Sequence, residues 1–363
     1  MNLQKIDTCL NADSVEFCPY EGLQQFLLCG TYKLEESTKL NSAECESSSE
    51  LKEDLMKDKR SSTLCSSQKR NGGIILYKLI QDAVCRPSLD KCLSLDICGV
   101  LDIKWPNSPI ENEAVFGLVN AEGYIQVLNL NPEDNSIETL AMCELSPSSL
   151  GLSLGWSAHK KLVTASDSHG NISIYQIDKE MSQVSKWKAH EYEAWITAFD
   201  HFNPDIVYTG GDDAKFKAWD VRDLSHPTFC SKRHSMGVCS IQSHPVNEHI
   251  VATGSYDENL IIWDNRQWKE PLDSIALGGG IWRIKWDPFF GTSILTATMY
   301  NGAHIIDCRE IGKNTLSISV EYQDHNLAYG ADWCRLKTEG KTAIVSTCSF
   351  YDHSLHLWKW NFE

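Results

Sequence analysis

The chain has 363 residues, with 33 basic and 49 acidic side chains and a formal net charge of −16. That balance argues against a protein that grips a nucleic-acid backbone, which needs a basic face, and favours basic partners or cationic ligands. Hydrophobic residues at 42% and charged residues at 23% fit a soluble globular chain and exclude a disordered or fibrous one.

The longest apolar stretch, Ile74 to Ile80, falls far short of the roughly 18 residues of a membrane span. The first ten residues, MNLQKIDTCL, lack the basic start and apolar run of a secretory signal, so a cytoplasmic location is expected. The 14 cysteines are scattered singly, with no CxxC pair and no Cys/His quartet at zinc spacing. The expectation is free thiols in a reducing compartment, no metal and no cofactor.

In chain order, one strand-like unit recurs seven times. Residues Leu3 to Leu10 come first and read as a strand. NGGIILY ends at Tyr77, EGYIQVL at Leu128 and HGNISIY at Tyr175. DDAKFKAW ends at Trp219, SYDENLIIW at Trp263, NGAHIID at Asp307 and FYDHSLHLW at Trp358. Each couples a turn residue to alternating polar and apolar positions, the period of a half-buried strand. The endpoints are spaced by 51, 47, 44, 44, 44 and 51 residues, close to the roughly 40–45 of a WD40 blade. A second family of strands precedes them: ADSVEF, VLDIKW, LSLGW, AWITAF, CSIQSHP, WRIKWDP and GADW. His190 and His234 each lie 29 residues before their blade tryptophan, Trp219 and Trp263, as WD40 histidines do.

The pattern predicts an all-β, seven-bladed propeller resembling WD40 proteins, one domain spanning 1–363. Only five residues follow Trp358, so Leu3 to Leu10 is expected to supply the last blade's outer strand and close the ring. Residues 33–71 are rich in Ser, Glu and Lys and read as a flexible polar insertion within the first blade.

Several motifs carry possible chemistry. GLSLG, from Gly151 to Gly155, matches a nucleophile elbow in letters, but no helix follows and it reads as an inner strand. His234 and Cys239 could form an imidazole–thiol pair, or a blade brace and a core residue. Residues just before each turn fall on the top rim: Arg70, Ala121, Ser168, Asp212, Tyr256, Tyr300 and Tyr351. Trp195 and Trp282 begin inner strands near the same mouth, with Glu193, Arg283 and Asp332 as charged neighbours. Clustered aromatics beside carboxylates suit a quaternary ammonium through cation–π attraction; the alternative is an ordinary protein-binding rim. WDVR, ending at Arg222, and WDNR, ending at Arg266, follow a WDxR pattern that some propellers use to dock ligase adaptors, although Asp and Arg there also pair locally.

Particular strings go beyond the fold. SKRHSMGVCSIQ, HEYEAWITAF, YTGGDD, ATGSYDE, GGGIWRIKW, YGADW and TCSFYDHSLHLWKW, with ADSVEFCP and LLCGTY near the start, closely resemble the diphthine methyl ester hydrolases. These WD-repeat proteins of diphthamide biosynthesis are also called diphthine methyltransferases. The resemblance runs from about Ala12 to Trp360 and fails in the polar insertion.

It implies an esterase acting on the modified histidine of elongation factor 2. That side chain carries a trimethylammonium group and a methyl ester, and hydrolysis leaves diphthine and methanol. On this reading His234 is the first choice of base, oriented by Glu193 or Asp332, with Arg283 or a tyrosine hydroxyl steadying the oxyanion. Trp195, Tyr256, Trp282, Tyr300 and Tyr351, with Asp212, would hold the cation. Elongation factor 2 is the expected partner, other diphthamide-pathway enzymes are further candidates, and the protein is expected to be a monomer that binds neither nucleic acid nor membrane. The alternatives are a non-catalytic scaffold for elongation factor 2 and a cullin-ring ligase substrate receptor.

Overall fold

The computed structural model describes residues 1–34, 70–81, 86–178, 180–313, 315–336 and 342–362. The described residues form seven four-stranded antiparallel sheets and no helix; accordingly, no helix is long and apolar enough to cross a membrane. Each sheet is a blade of a β-propeller. The inner strands are Asn11–Phe17, Val100–Lys104, Gly151–Trp156, Ile196–Phe199, Val238–Ser243, Arg283–Trp286 and Ala328–Trp333, blades 1 to 7 in that order.

All seven sequence endpoints lie on the third strand of their blade. Trp219, Trp263 and Trp358 pair there with Val207, Val251 and Val345 of the second strand. The apolar alternation explains where the core sits. One buried cluster joins Val115 and Val127 of blade 2 to Leu154 and Tyr175 of blade 3, and another joins Tyr208 of blade 4 to Val251 and Trp263 of blade 5. Each blade buries its faces against its neighbours, so the ring must close to leave none bare.

Closure falls where the sequence places it. Asn2–Asp7 is the outer strand of blade 7, pairing antiparallel with Ser354–Asn361. In blade 1 the second and third strands run to Leu34 and from Arg70, with Lys33 opposite Asn71 and Leu34 opposite Arg70. Arg70 and Asn71 therefore sit in a strand ladder rather than at a tight turn. The remainder of the proposed insertion, 35–69, lies outside the described residues.

The turn between second and third strands needs a left-handed residue. Gly170 supplies it in blade 3 at φ 77°, where an added Cβ would stand 2.2 Å from the Tyr192 carbonyl oxygen. In the Asp-bearing turns the same place is taken by Ala214, Glu258 and His353 at φ 58°, 70° and 49°. The turn Asp offsets that strain by accepting backbone hydrogen bonds: Asp257 Oδ1 takes the Asn259 N–H at 3.0 Å and Oδ2 the Ser235 N–H at 2.8 Å.

Candidate functional site

Aligning the starts of the seven inner strands on the buried residues Ala12, Val100, Gly151, Ala194, Val238, Ile281 and Ala328 sets the residues that follow them, Asp13, Leu101, Leu152, Trp195, Cys239, Trp282 and Tyr329, in one column. In blades 1, 2, 3, 5 and 7 the strand pairing skips this position: the register shifts between Ala12 and Ser14, Val100 and Asp102, Gly151 and Ser153, Val238 and Ser240, and Ala328 and Gly330. A bulge of this kind takes a residue out of the ladder and re-aims its side chain. Trp195 of blade 4 reaches Trp282 of blade 6, with ring centroids 5.6 Å apart. Two blades that are not neighbours can touch only near the propeller axis, so this column rings the mouth of the central channel.

Aromatic residues fill one side of that mouth. Tyr256 stands 6.2 Å from Trp195 and 5.8 Å from Trp282, and Trp282 stacks on Tyr329 at 4.7 Å and 24°. Tyr329 continues to Phe350 at 5.3 Å, and Phe350 to Tyr32 at 5.7 Å. The result is a half-buried aromatic platform across blades 4 to 7 and into blade 1. Burial pushes the Tyr256 and Tyr329 hydroxyls well above their ordinary range, so they stay neutral donors.

Two carboxylates flank the platform in different surroundings. Asp212 is exposed on the rim, and its Oδ1 accepts the Trp195 indole N–H at 3.0 Å. Asp13 is 4% exposed and is the only carboxylate in the column. Burial pushes its carboxyl up to about 7, against the pull of Arg283 and a hydrogen bond from Trp282. Its Oδ1 has no hydrogen-bond partner among the described residues.

Below the platform the channel is a net of ion pairs. Asp102 holds Lys104 and Arg283, each at 3.1 Å. Lys285 contacts Glu16 and lies 3.5 Å from Asp332, whose Oδ2 accepts the Phe17 N–H at 2.7 Å. The net opens downward into a cavity of about 430 Å³ lined by Trp156, Trp286 and the channel cations.

Known proteins share this architecture and much of this sequence. The profile of the WD domain, G-beta repeat, matches residues 226–264. A chain in the crystal structure of the mitotic checkpoint complex superposes with a TM-score of 0.68 over 100% of this chain and 96% of its own, at 14% identity, a likeness of fold. The diphthine methyltransferase of Homo sapiens is 33% identical over 99% of this chain and 98% of its own length. That of Mus musculus is 37% identical over 91% and 69%, and a homologue from Dictyostelium discoideum is 38% identical over 72% and 76%. The chain belongs to the diphthine methyltransferase family.

In this diphthine methyltransferase-family chain the residues expected to form a site fall into three groups. Trp195, Tyr256, Trp282 and Asp212 come together on the platform, and Glu193 adjoins them, its carbonyl accepting the Asp212 N–H at 2.9 Å. Tyr351 touches the platform's edge through Phe350 at 5.5 Å, while Tyr300 is 70% exposed and makes no ring contact among the described residues. Arg283 and Asp332 lie deeper, in the channel's ion pairs.

His234 is not brought to any of them. Its Nδ1 donates to Asp257 at 3.0 Å and its Nε2 accepts from the Thr253 hydroxyl at 2.9 Å, whose oxygen in turn takes the Trp263 indole N–H at 2.8 Å. Blade 4 repeats the arrangement with His190, Asp213, Thr209 and Trp219. Burial alone would raise Asp257, but His234 and the Ser235 and Asn259 amides together outweigh it and hold the carboxyl at about 2. With both nitrogens committed and the side chain 1% exposed, His234 is a brace and has no lone pair to offer a substrate.

The other motifs resolve as structure. Ser153 of GLSLG is buried mid-strand, and burial drives the Cys239 thiol well above its ordinary value, leaving it inert. Arg222 and Arg266 fold back on Asp220 and Asp264 at 2.8 and 2.9 Å, and Arg309 does the same to Asp307 at 3.0 Å in a blade without the WDxR spelling. Asp13, Tyr329, Phe350 and Tyr32 were not among the expected site residues. The signal for the first two is the inner-strand column, which needs all seven strands aligned together.

Proposed function

We propose that this protein acts in diphthamide biosynthesis as a carboxylic-ester hydrolase. It removes the methyl ester of diphthine on the modified histidine of elongation factor 2, giving diphthine and methanol. The curated relatives named diphthine methyltransferase support the pathway. The observation that carries the finer reading is the Trp195–Tyr256–Trp282 platform flanked by Asp212 and Asp13.

That surface matches the substrate's permanent cation. A trimethylammonium group cannot donate hydrogen bonds, so faces of electron-rich rings and nearby carboxylates are the groups that recognise it. Glu193 and Asp212 add negative charge at the rim, and the exposed Tyr300 and Tyr351 extend the surface toward a protein substrate. Arg283 and the neutral tyrosine hydroxyls are the positive and donor groups nearest to the place where ester oxygen charge would develop. His234 has no part in the chemistry; its brace keeps blade 5, and with it Tyr256, in place.

The test is intact mass of elongation factor 2 bearing the methylated diphthine ester, incubated with this protein alone. Loss of one methylene in mass at catalytic protein levels, with release of methanol, is the expected result. Tight binding with no change in mass would replace the esterase by a scaffold. Adaptor capture that depends on Arg222 and Arg266, again without a mass change, would replace it by a ligase receptor.

A further inference from the structure

Among the described carboxylates around the channel, Asp13 alone combines burial, an acceptor atom with no hydrogen bond or ion pair, and a place in the inner-strand column that carries the platform. The carboxylates below it are spent: Asp102 is held by Lys104, Arg283 and the Leu154 N–H, Glu16 by Lys285, and Asp332 by Lys285 and the Phe17 N–H. Asp212 sits in solvent on the rim. Asp13 occupies the bulge of the blade 1 inner strand, in the same inner-strand column as Trp282 and Tyr329, and its Oδ1 has no hydrogen-bond partner among the described residues.

Resting on the esterase reading, we propose that Asp13 is the general base of the hydrolysis, acting at the floor of the aromatic mouth. The cation and the ester belong to one substrate side chain. A trimethylammonium seated on Trp282 and Tyr329 therefore brings the ester carbonyl toward the one carboxylate of the same inner-strand column, Asp13. The Asp13 carboxylate takes one proton from a water molecule while the water oxygen bonds to the ester carbon. The carbon–methoxy bond then breaks, and the methoxy oxygen takes the proton back from Asp13. The products are methanol and a carboxylic acid that ionises into solvent, and Asp13 ends as it began, a carboxylate. No co-reactant other than water is needed.

The groups that set the charge state of Asp13 come from every element around it: Arg283 of blade 6, Asp102 of blade 2, Tyr256 of blade 5, Tyr329 and Cys348 of blade 7, and Cys29 on its own blade. Burial dominates and holds the free carboxyl near 7, the range in which a base is half available at neutral pH. A bound cation stabilises the carboxylate. The acid limb of kcat/KM, which reports the free enzyme, should therefore lie near 7, and the limb of kcat should lie lower.

The experiment measures the pH dependence of ester removal from about pH 5.5 to 8.5 for the wild type, Asp13→Asn and Asp13→Ala, with thermal unfolding followed alongside. The expected results are a wild-type acid limb near 7 in kcat/KM and a fall of at least about 100-fold in kcat for Asp13→Asn. Substrate affinity should change far less than rate. Asp13→Asn should melt no lower than wild type at pH 8. The raised carboxyl stabilises the fold fully below its ordinary pKa, and that contribution is lost as pH rises through about 7, so removing the charge costs nothing there. Release by the wild type with Asp13→Asn within threefold of it, or with no limb near 7, overturns the base role alone. No release by the wild type at any pH overturns the esterase reading and the base role with it.

Discussion

Trp282 lies at the middle of the platform, meeting Trp195, Tyr256 and Tyr329. A ring beneath a quaternary ammonium contributes about 0.5–2 kcal/mol, so Trp282→Ala should raise KM by roughly 2-fold to 30-fold. Trp282→Phe should recover part of that loss, because it restores a ring face without the indole N–H. Steady-state kinetics of ester removal checks both. His234→Ala should behave in the opposite way. It leaves Asp257 and Thr253 without their buried partner and should cost about 1–3 kcal/mol of stability by urea unfolding. The fraction that remains folded should keep its activity and its pH profile. A base role for His234 would predict the reverse, lost rate at unchanged stability. The sequence shows His234 and His190 readily because each sits 29 residues before its tryptophan. It hides His325, which lies 33 residues before Trp358 yet bonds Thr347 at 2.7 Å in the same bracing place, because blade 7 has a longer path between its first two strands. It hides Asp13 for a different reason: a single carboxylate at the start of an apolar strand has no local signature.

At the scale of the element, blade 7 carries an acid-sensitive pair. His325 and His356 stack at 4.2 Å, and the Tyr322 hydroxyl donates to His356 Nδ1 at 2.8 Å. Burial, then the nearness of His356, pushes His325 down to about 3, and burial, then Lys5, pushes His356 down to about 4. Both are thus neutral in the fold and ordinary when unfolded. Their stabilisation is complete above about 6.5 and is lost as pH falls from there through 4 to 3, at roughly 1.4 kcal/mol per pH unit for each ring. Urea midpoints should therefore drop steeply between pH 7 and 4.5, and replacing both histidines by Gln should flatten the drop while lowering stability at pH 7. Asp13 titrates with the opposite sign, so the two effects are separable in one pH series. Blade architecture itself is the most legible level of this protein. Turn residue, alternation and tryptophan recur at near-constant spacing because each blade solves the same burial problem. Blade 1 shows the limit of that legibility: its second strand runs on to Leu34 and its third starts at Arg70, so Arg70 and Asn71 pair in a ladder and not in a tight turn.

Over the whole molecule, ring closure and the site share one seam. Blades 7 and 1 meet where Phe350 contacts Tyr32, and the buried cluster there joins Leu3, Val15, Leu27 and Tyr77 to Ile344, Cys348 and Leu355. The first strand fastens this seam from outside. Gln4 to Asp7 pair with Leu357 to Ser354, Thr8 donates its amide to the His353 carbonyl at 2.8 Å, and the Gln4 side chain exchanges two hydrogen bonds with Leu89 of blade 1. Removing residues 1–10 leaves the Ser354–Asn361 strand as an open edge and strips Leu3 from the cluster. Because each blade is supported only by its neighbours, the loss is felt around the ring. It also frees Asp13 and Tyr32 on one side of the seam from Tyr329 and Phe350 on the other, which are the two halves of the mouth. The truncated protein should therefore melt at a lower temperature, expose its last blade to protease, and lose ester removal in the same step. Trp282→Ala should lose affinity with no loss of the ring's closure, so that its last blade stays as protease-resistant as in the wild type. Adding residues 1–10 back as a separate peptide should restore melting temperature and activity together, because the peptide supplies the missing edge strand and nothing of the site itself. A truncated protein that melts normally but has lost activity would place the first strand in the chemistry rather than in the closure of the ring.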